Sequence, residues 1–389
     1  MKKLLIATYD LEIGGVERSL ISLLEKLDYS RFQVDLLLYR HQGEFLTMLP
    51  ESVTLLEENR FYRTFRMSIK ETAANGQLKL AVARTFAKLR ASFSKGDEKG
   101  VRQMQYMWKY STPFLPALEQ TYDVAISYLW PHNFVADKVQ ANIKIAWIHT
   151  DFSSITTDKK EDLKVWSSYQ SIIAISEECA KAFGRIYPEL TDKVKMIENI
   201  TSPEMVKSLA NEEAPEIQPG FSLVTVARLS HAKGIDRAVK VLHSLHQQGF
   251  SDIKWYIVGY GGDEEMIRVL IKEKGLEASF ILLGKKINPY PYMRKADLYI
   301  QPSRYEGKAV TVGEAQILGK PVIITNYPTA VSQVQDGYDG VICEQSEEGL
   351  VKAIISLYQQ PEKRKQLSQN CQNSNYHNAA ELEKLYQLV

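Results

Sequence analysis

Cysteine is scarce in this chain: three residues among 389, Cys179, Cys343 and Cys371, odd in number, far apart and without metal-ligand spacing. That argues against a disulfide framework or a zinc module and fits reduced thiols of a cytosolic protein. An excess of one charge is also missing, because 48 Lys and Arg meet 47 Asp and Glu for a formal net of +1. A dedicated nucleic-acid binder is therefore not expected, although local patches remain open. No apolar run is long enough to span a bilayer, and Leu4 to Ala7 behind Met1-Lys2-Lys3 is too brief for a signal-peptide core, so it reads as a first buried strand. The six-residue dinucleotide fingerprint and the P-loop are both absent, which leaves a dehydrogenase or a nucleoside triphosphatase without support. No Asp-x-Asp occurs. A metal bridging a diphosphate is accordingly not expected, and no cofactor is called for.

What is present is length and a repeating pattern. A chain of 389 residues exceeds what one hydrophobic core usually serves. Short apolar runs alternate with helical stretches, which is the pattern of parallel sheets covered on both faces. Strands are predicted at 3–8, 32–39, 53–57, 122–128, 143–149, 171–175 and 194–198, and then at 222–227, 254–258, 280–283, 298–301, 322–325 and 341–344. Two doubly wound α/β domains facing across a cleft are expected, at 1–205 and 206–370, with a C-terminal helix over 371–389 that packs back on the first. Residues 210–220, rich in Glu, Pro and Asn, form the linker candidate.

Residues 60–109 break the alternation, with twelve Lys or Arg against three acidic residues and interleaved aromatics such as Phe61, Phe65, Phe86, Phe93 and Trp108. Leu80, Ala83, Phe86, Ala87 and Arg90 recur at helical spacing and predict an amphipathic helix. This basic insertion at about 60–110 reads either as a solvated excursion packed on its domain or as a contact for an anionic membrane.

Chemistry concentrates where predicted strands meet helices. Glu306 and Glu314 are separated by seven residues, the first in the loop after a strand and the second on the next helix. By default such a pair is solvated surface. Here Gly307 lets a backbone approach, and the amides near Ala309 to Thr311 begin a helix, which is a ready anion site. Arg228 and Lys233, five residues apart after another strand and followed by Gly234, are placed to grip a doubly charged group. Gly14-Gly15 sits at the first strand-to-helix turn, and His149 ends a strand, where it could hydrogen-bond a sugar hydroxyl or serve as a structural partner.

The series Gly14-Gly15-x-Glu17, His149, Glu198-Asn199, Arg228 with Lys233, Val258-Gly259-x-Gly261, Glu306-Gly307 with Glu314 and Gly319-Lys-Pro-Val resembles the retaining glycosyltransferases of family 4, which have the GT-B fold. The resemblance covers nearly the whole chain, is specific over 226–344 and is loose over 60–109. It implies an enzyme that moves a hexose or N-acetylhexosamine from a nucleotide diphosphate, UDP by preference, to a hydroxyl acceptor such as a lipid-linked or surface-polysaccharide precursor of a bacterial cell envelope. Carried over residue by residue, it implies that Arg228 and Lys233 hold the diphosphate, Glu314 the ribose and Glu306 the donor sugar, while His149 lies near the reacting centre. His149, Arg228, Lys233 and Glu306 are then the catalytic candidates. Gly14, Gly15, Asn199, Gly259, Gly307, Lys308, Ala309 and Val310 complete the donor site, and Lys286 with Ile287 holds the base. Lys308 departs from the small or apolar residue common at that position. Two other readings share the architecture, a nucleotide-sugar epimerase and a non-catalytic partner subunit. The expected location is cytoplasmic, peripheral at the inner membrane face.

Overall fold

The computed structural model describes residues 1–93, 99–150, 152, 155, 157–214, 216–376, 378 and 380–389. It divides into two compact units, one made of Met1–Glu12, Val16–Ile200 and Ala379–Val389, the other of Ile13–Gly15 and Thr201–Asn378.

The first unit holds a seven-stranded parallel sheet of β1 (Lys2–Thr8), β2 (Phe32–Leu38), β3 (Val53–Leu55), β4 (Thr121–Ser127), β5 (Gln140–Ile148), β6 (Ser171–Ala174) and β7 (Val194–Met196) in the order β3-β2-β1-β4-β5-β6-β7. The second holds a six-stranded parallel sheet of β8 (Ser222–Val226), β9 (Lys254–Val258), β10 (Phe280–Gly284), β11 (Leu298–Gln301), β12 (Val322–Thr325) and β13 (Gly340–Cys343) in the order β10-β9-β8-β11-β12-β13. Their central strands are apolar along their length because both faces are covered: Leu5, Ile6 and Ala7 of β1 and Leu298, Tyr299 and Ile300 of β11 are all fully buried. In each sheet the strand order reverses once, between β1 and β4 and between β8 and β11. Ligands of open α/β sheets bind at the carboxyl ends of the strands beside such a reversal. No helix among the described residues is long and apolar enough to cross a membrane.

The basic insertion folds as a helical hairpin on the first unit, with Leu78–Ser92 packed against Lys99–Ser111. Residues 94–98 of the insertion lie outside the described residues. The predicted amphipathic helix is present, but its buried face differs from the expectation. Leu80, Ala81, Ala83, Ala87 and Ala91 face inward, whereas Phe86 and Arg90 are exposed. Alanines allow close approach to the neighbouring helix, where Tyr106 packs on Ala87 and Ala91. A phenylalanine on that face would hold the helices apart. The other aromatics of the insertion are sorted differently, since Tyr62, Phe65 and Trp108 are in the core.

Candidate functional site

In the second unit, the chemistry-bearing side chains lie on the segments leaving the carboxyl ends of β8, β9, β10 and β11. Arg228 follows β8 and is exposed. A short 3-10 turn, His231–Lys233, then carries Lys233 and ends at Gly234, whose left-handed backbone (φ 66°) begins the helix Ile235–Gln247. A β-carbon at 234 would meet the Pro302 carbonyl oxygen at 2.1 Å, so the β8 loop rests directly on the β11 loop. Gly259 makes the equivalent approach after β9, where a β-carbon would lie 1.9 Å from the Ala227 carbonyl oxygen. Arg304 locks the same two loops through a fork onto Asp236, with both nitrogen-to-oxygen distances at 2.7 Å, and donates to the His231 carbonyl. Burial opposes ionisation of Asp236, but the Arg304 bonds and charge outweigh it and hold the carboxyl below its ordinary value.

Glu306 and Glu314 are not solvated surface: they are 5% and 1% exposed. The Lys233 ammonium donates to Glu306 Oε2 at 2.5 Å, while Ser303 Oγ and Gln301 Nε2 donate to Oε1 at 2.6 and 2.9 Å. Gln301 is oriented in turn by the Tyr299 hydroxyl, which donates to its Oε1 at 2.6 Å and lies 2.7 Å from Thr311 Oγ1. Glu314 sits on the helix Val310–Ile317 and accepts from the Tyr290 hydroxyl at 2.8 Å. Both carboxylates are thus held by donors within the protein, as buried anions must be.

At the anion cradle expected near Ala309, the first amide is already engaged. Gln333 accepts from the Ala309 N–H at 3.1 Å and donates to its carbonyl at 2.9 Å. The Val310 and Thr311 amides open the helix and find no partner among the described residues. After β10, Lys286 donates to Glu216 at 2.5 Å and Tyr292 donates to the other oxygen of that carboxylate at 2.9 Å; the bond to Glu216 raises the lysine pKa. Ile287 beside it is half exposed.

The remaining candidates are placed differently. Gly14 precedes and Gly15 opens the helix Gly15–Lys26 after β1, and both group with the second unit. Asn199 is buried beyond β7. The His149 ring, just past β5, lies 4.6 Å from the Tyr128 ring and 6.4 Å from that of Trp147. Neither ring nitrogen has a hydrogen-bond partner of normal geometry among the described residues. Burial pushes the His149 pKa down to about 3 against a weaker pull from the Tyr128 main chain, so the ring is neutral near pH 7.

Several supporting residues escape the sequence reading. Tyr290, Gln301, Arg304 and Glu216 carry no local pattern, since each acts on a partner 5 to 76 residues away. Only Ser303, three residues before Glu306, stands near enough in the chain to be noticed.

Residues 210–374 match the family model described as "Glycosyl transferases group 1". Among curated proteins, the Bacillus subtilis poly(glycerol-phosphate) alpha-glucosyltransferase is 36% identical over 139 residues, 35% of this chain and 20% of that protein. The alpha-monoglucosyldiacylglycerol synthase of Acholeplasma laidlawii is 28% identical over 156 residues, 40% of this chain and 39% of its own length. The chain spans less than half the length of the first curated relatives that it matches. Among solved structures, Anabaena Alr3699/HepE in complex with UDP-glucose is similar over all of this chain and 99% of its own, with a TM-score of 0.71 at 17% identity. S. aureus TarM, solved as a mutant with UDP, alpha-GlcNAc-glycerol and fondaparinux, is similar over the same shares at 0.70 and 14%. These likenesses show the fold, two Rossmann-like domains of the GT-B class.

Proposed function

We propose that this protein is a retaining glycosyltransferase that moves a hexose or N-acetylhexosamine from a UDP-sugar to a hydroxyl of a glycan or lipid-linked precursor. The observation that carries the reading is the buried Glu306 carboxylate, bridged to Lys233 across the β8/β11 reversal and held by two further donors. A rigid carboxylate beside a cation is suited to a polar donor whose hydroxyls and phosphates need opposite partners.

In this reading Lys233 and Arg228 take the diphosphate, aided by the amides that open the helix Val310–Ile317, and stabilise the charge that grows on it as the sugar leaves. Glu306 orients the transferred sugar, and Glu314, fixed by Tyr290, reads the ribose. His149 is neutral and is suited to a hydrogen bond with a substrate hydroxyl rather than to supplying a charge. The bond from the anomeric carbon to the phosphate oxygen breaks, the bond to the acceptor oxygen forms on the same face, and the leaving phosphate accepts the acceptor's proton. Arg228 and Lys233 supply the positive charge, so the reaction as drawn calls for no metal or other cofactor. UDP-bound relatives of the same fold and the glucosyltransferase names of the sequence relatives support the donor class.

The test is a thermal-shift screen of UDP, GDP and their sugars, followed by NMR of the anomeric proton in the product. A rise in melting temperature with UDP and an axial product linkage from an axial donor are expected. No response to any nucleotide, or an inverted product, refutes the reading.

A further inference from the structure

The helix Leu78–Ser92 has two apolar faces. The inner one is built mostly of alanine. The outer one lines up Leu78, Val82, Phe86, Leu89 and, just past the helix end, Phe93, which are 66, 63, 64, 55 and 86% exposed. Steps of three and four residues keep all five on one stripe. Leu78, Val82 and Phe86 also line an open groove of about 420 Å³, closed on its far side by Tyr110 and Phe114. Contiguous apolar surface of this kind on a soluble protein marks a place that something covers. Nor does it belong to an insertion without a core, since Phe65 and Trp108 are buried close by.

Charge decides between the candidate covers. No acidic residue occurs between Glu71 and Asp97, whereas the helix carries Lys79, Arg84, Lys88 and Arg90. Arg84 turns inward onto the Thr64 and Phe65 carbonyls, and Arg90 donates to the Tyr110 hydroxyl. Lys79 and Lys88 remain on the exposed face. A second copy meeting this stripe across a two-fold axis would bring lysines towards lysines, with no carboxylate on the helix to answer them. A bilayer with anionic headgroups supplies both what the stripe lacks and what the lysines lack.

We infer that Leu78–Phe93 is a membrane-docking surface, which lies in the plane of an anionic phospholipid bilayer with its outer stripe in the acyl boundary and Lys79 and Lys88 among the headgroups. The inference rests on the first unit alone and does not depend on which group the protein transfers.

Co-sedimentation of the full chain with phosphatidylcholine vesicles containing roughly a third phosphatidylglycerol tests it, with no donor or acceptor present. The protein is expected to pellet at low salt and to stay in solution with vesicles of phosphatidylcholine alone. Phe86→Asp combined with Leu89→Asp should weaken binding at least about tenfold without moving the melting temperature, because both side chains are exposed. Lys79→Glu combined with Lys88→Glu should weaken it by a similar factor and flatten its salt dependence. Three outcomes overturn the inference: no pelleting at low salt, pelleting by the Phe86/Leu89 variant at the wild-type level, or a solution dimer in sedimentation equilibrium that this variant dissociates.

Discussion

Lys233 Nζ lies 2.5 Å from Glu306 Oε2, which joins the two loops on either side of the β8/β11 reversal by a pair whose carboxylate is nearly inaccessible and whose ammonium is about a quarter exposed. The lysine is thus the counter-ion of a buried acid, and in the proposed reading it is also a charge for an incoming diphosphate. These roles separate experimentally. Lys233→Ala should lower transfer by about 10²- to 10³-fold and stability by roughly 1–3 kcal/mol, the lower part of the buried-pair range because the ammonium is partly solvated. Adding Glu306→Gln should recover much of the stability and none of the turnover. Calorimetric melting with donor-hydrolysis assays reads both. Equal recovery of both would remove the diphosphate role.

Gly234 should tolerate no side chain. Gly234→Ala combines a left-handed backbone with a contact of 2.1 Å to the Pro302 carbonyl oxygen, for a cost of about 2–4 kcal/mol. Because the loop it moves carries Lys233, UDP affinity should fall with it. Calorimetry on the variant finding wild-type affinity would mean that the two loops move independently.

Arg304→Lys tests the fork on Asp236. A single ammonium cannot match both carboxylate oxygens, so a loss of about 1–2 kcal/mol in urea unfolding is expected. An unchanged midpoint would reduce the fork to an ordinary surface pair.

Tyr290→Phe removes the donor on Glu314 Oε1 while keeping the ring. With a buried carboxylate short of one hydrogen bond, the UDP dissociation constant should rise roughly tenfold. Uracil base alone should bind the variant as it binds the wild type, since the proposed role of Glu314 is at the ribose. Weaker binding of the base as well would place the damage elsewhere.

Stability should fall as the pH drops from 7 to 5. His132, whose Nδ1 is 2.8 Å from Ser127 Oγ, is pushed down to about 3 by burial and then by its neighbour His149, itself pushed down to about 3. Both folded-state values lie below the unfolded one. Their contribution is therefore complete above the free histidine pKa of about 6.5 and is lost as the pH falls towards the folded-state value. The slope per histidine is at most about 1.4 kcal/mol per pH unit. Asp10 and Asp162, whose carboxyls burial raises, act in the opposite sense as the pH falls, so the difference between wild type and a His132 variant carries the test rather than the total slope. His132→Gln should shallow the dependence of melting temperature on pH. A slope equal to that of the wild type would exclude His132 as its source.

The thirteen strands among the described residues are legible in the sequence to within about three residues, the central ones because a parallel strand covered on both faces has to be an uninterrupted apolar run. The helix that carries Glu314 is legible too, from Val310 to the stop at Gly319 and Pro321. The position of Lys233 and Glu306 in loops after strands can be anticipated, but their direct bond cannot. It depends on β8 lying beside β11 rather than beside β10, a long-range choice written in no local pattern. The inner face of Leu78–Ser92 is misread for a related reason. Helical period shows that apolar residues share a side, but when a helix has two apolar sides only packing decides which one is buried.

The first unit takes its last residues, Ala379–Val389, from beyond the whole of the second. Within them Tyr386 stacks on Phe32 at 5.5 Å and its hydroxyl accepts the Asp28 amide. During synthesis the first sheet therefore emerges some 180 residues before this segment, which at about 5–20 residues per second is a wait of roughly 10–35 s. Throughout that interval Phe32 lacks the Tyr386 ring and the Asp28 amide lacks its acceptor, while the whole of the second unit is being made.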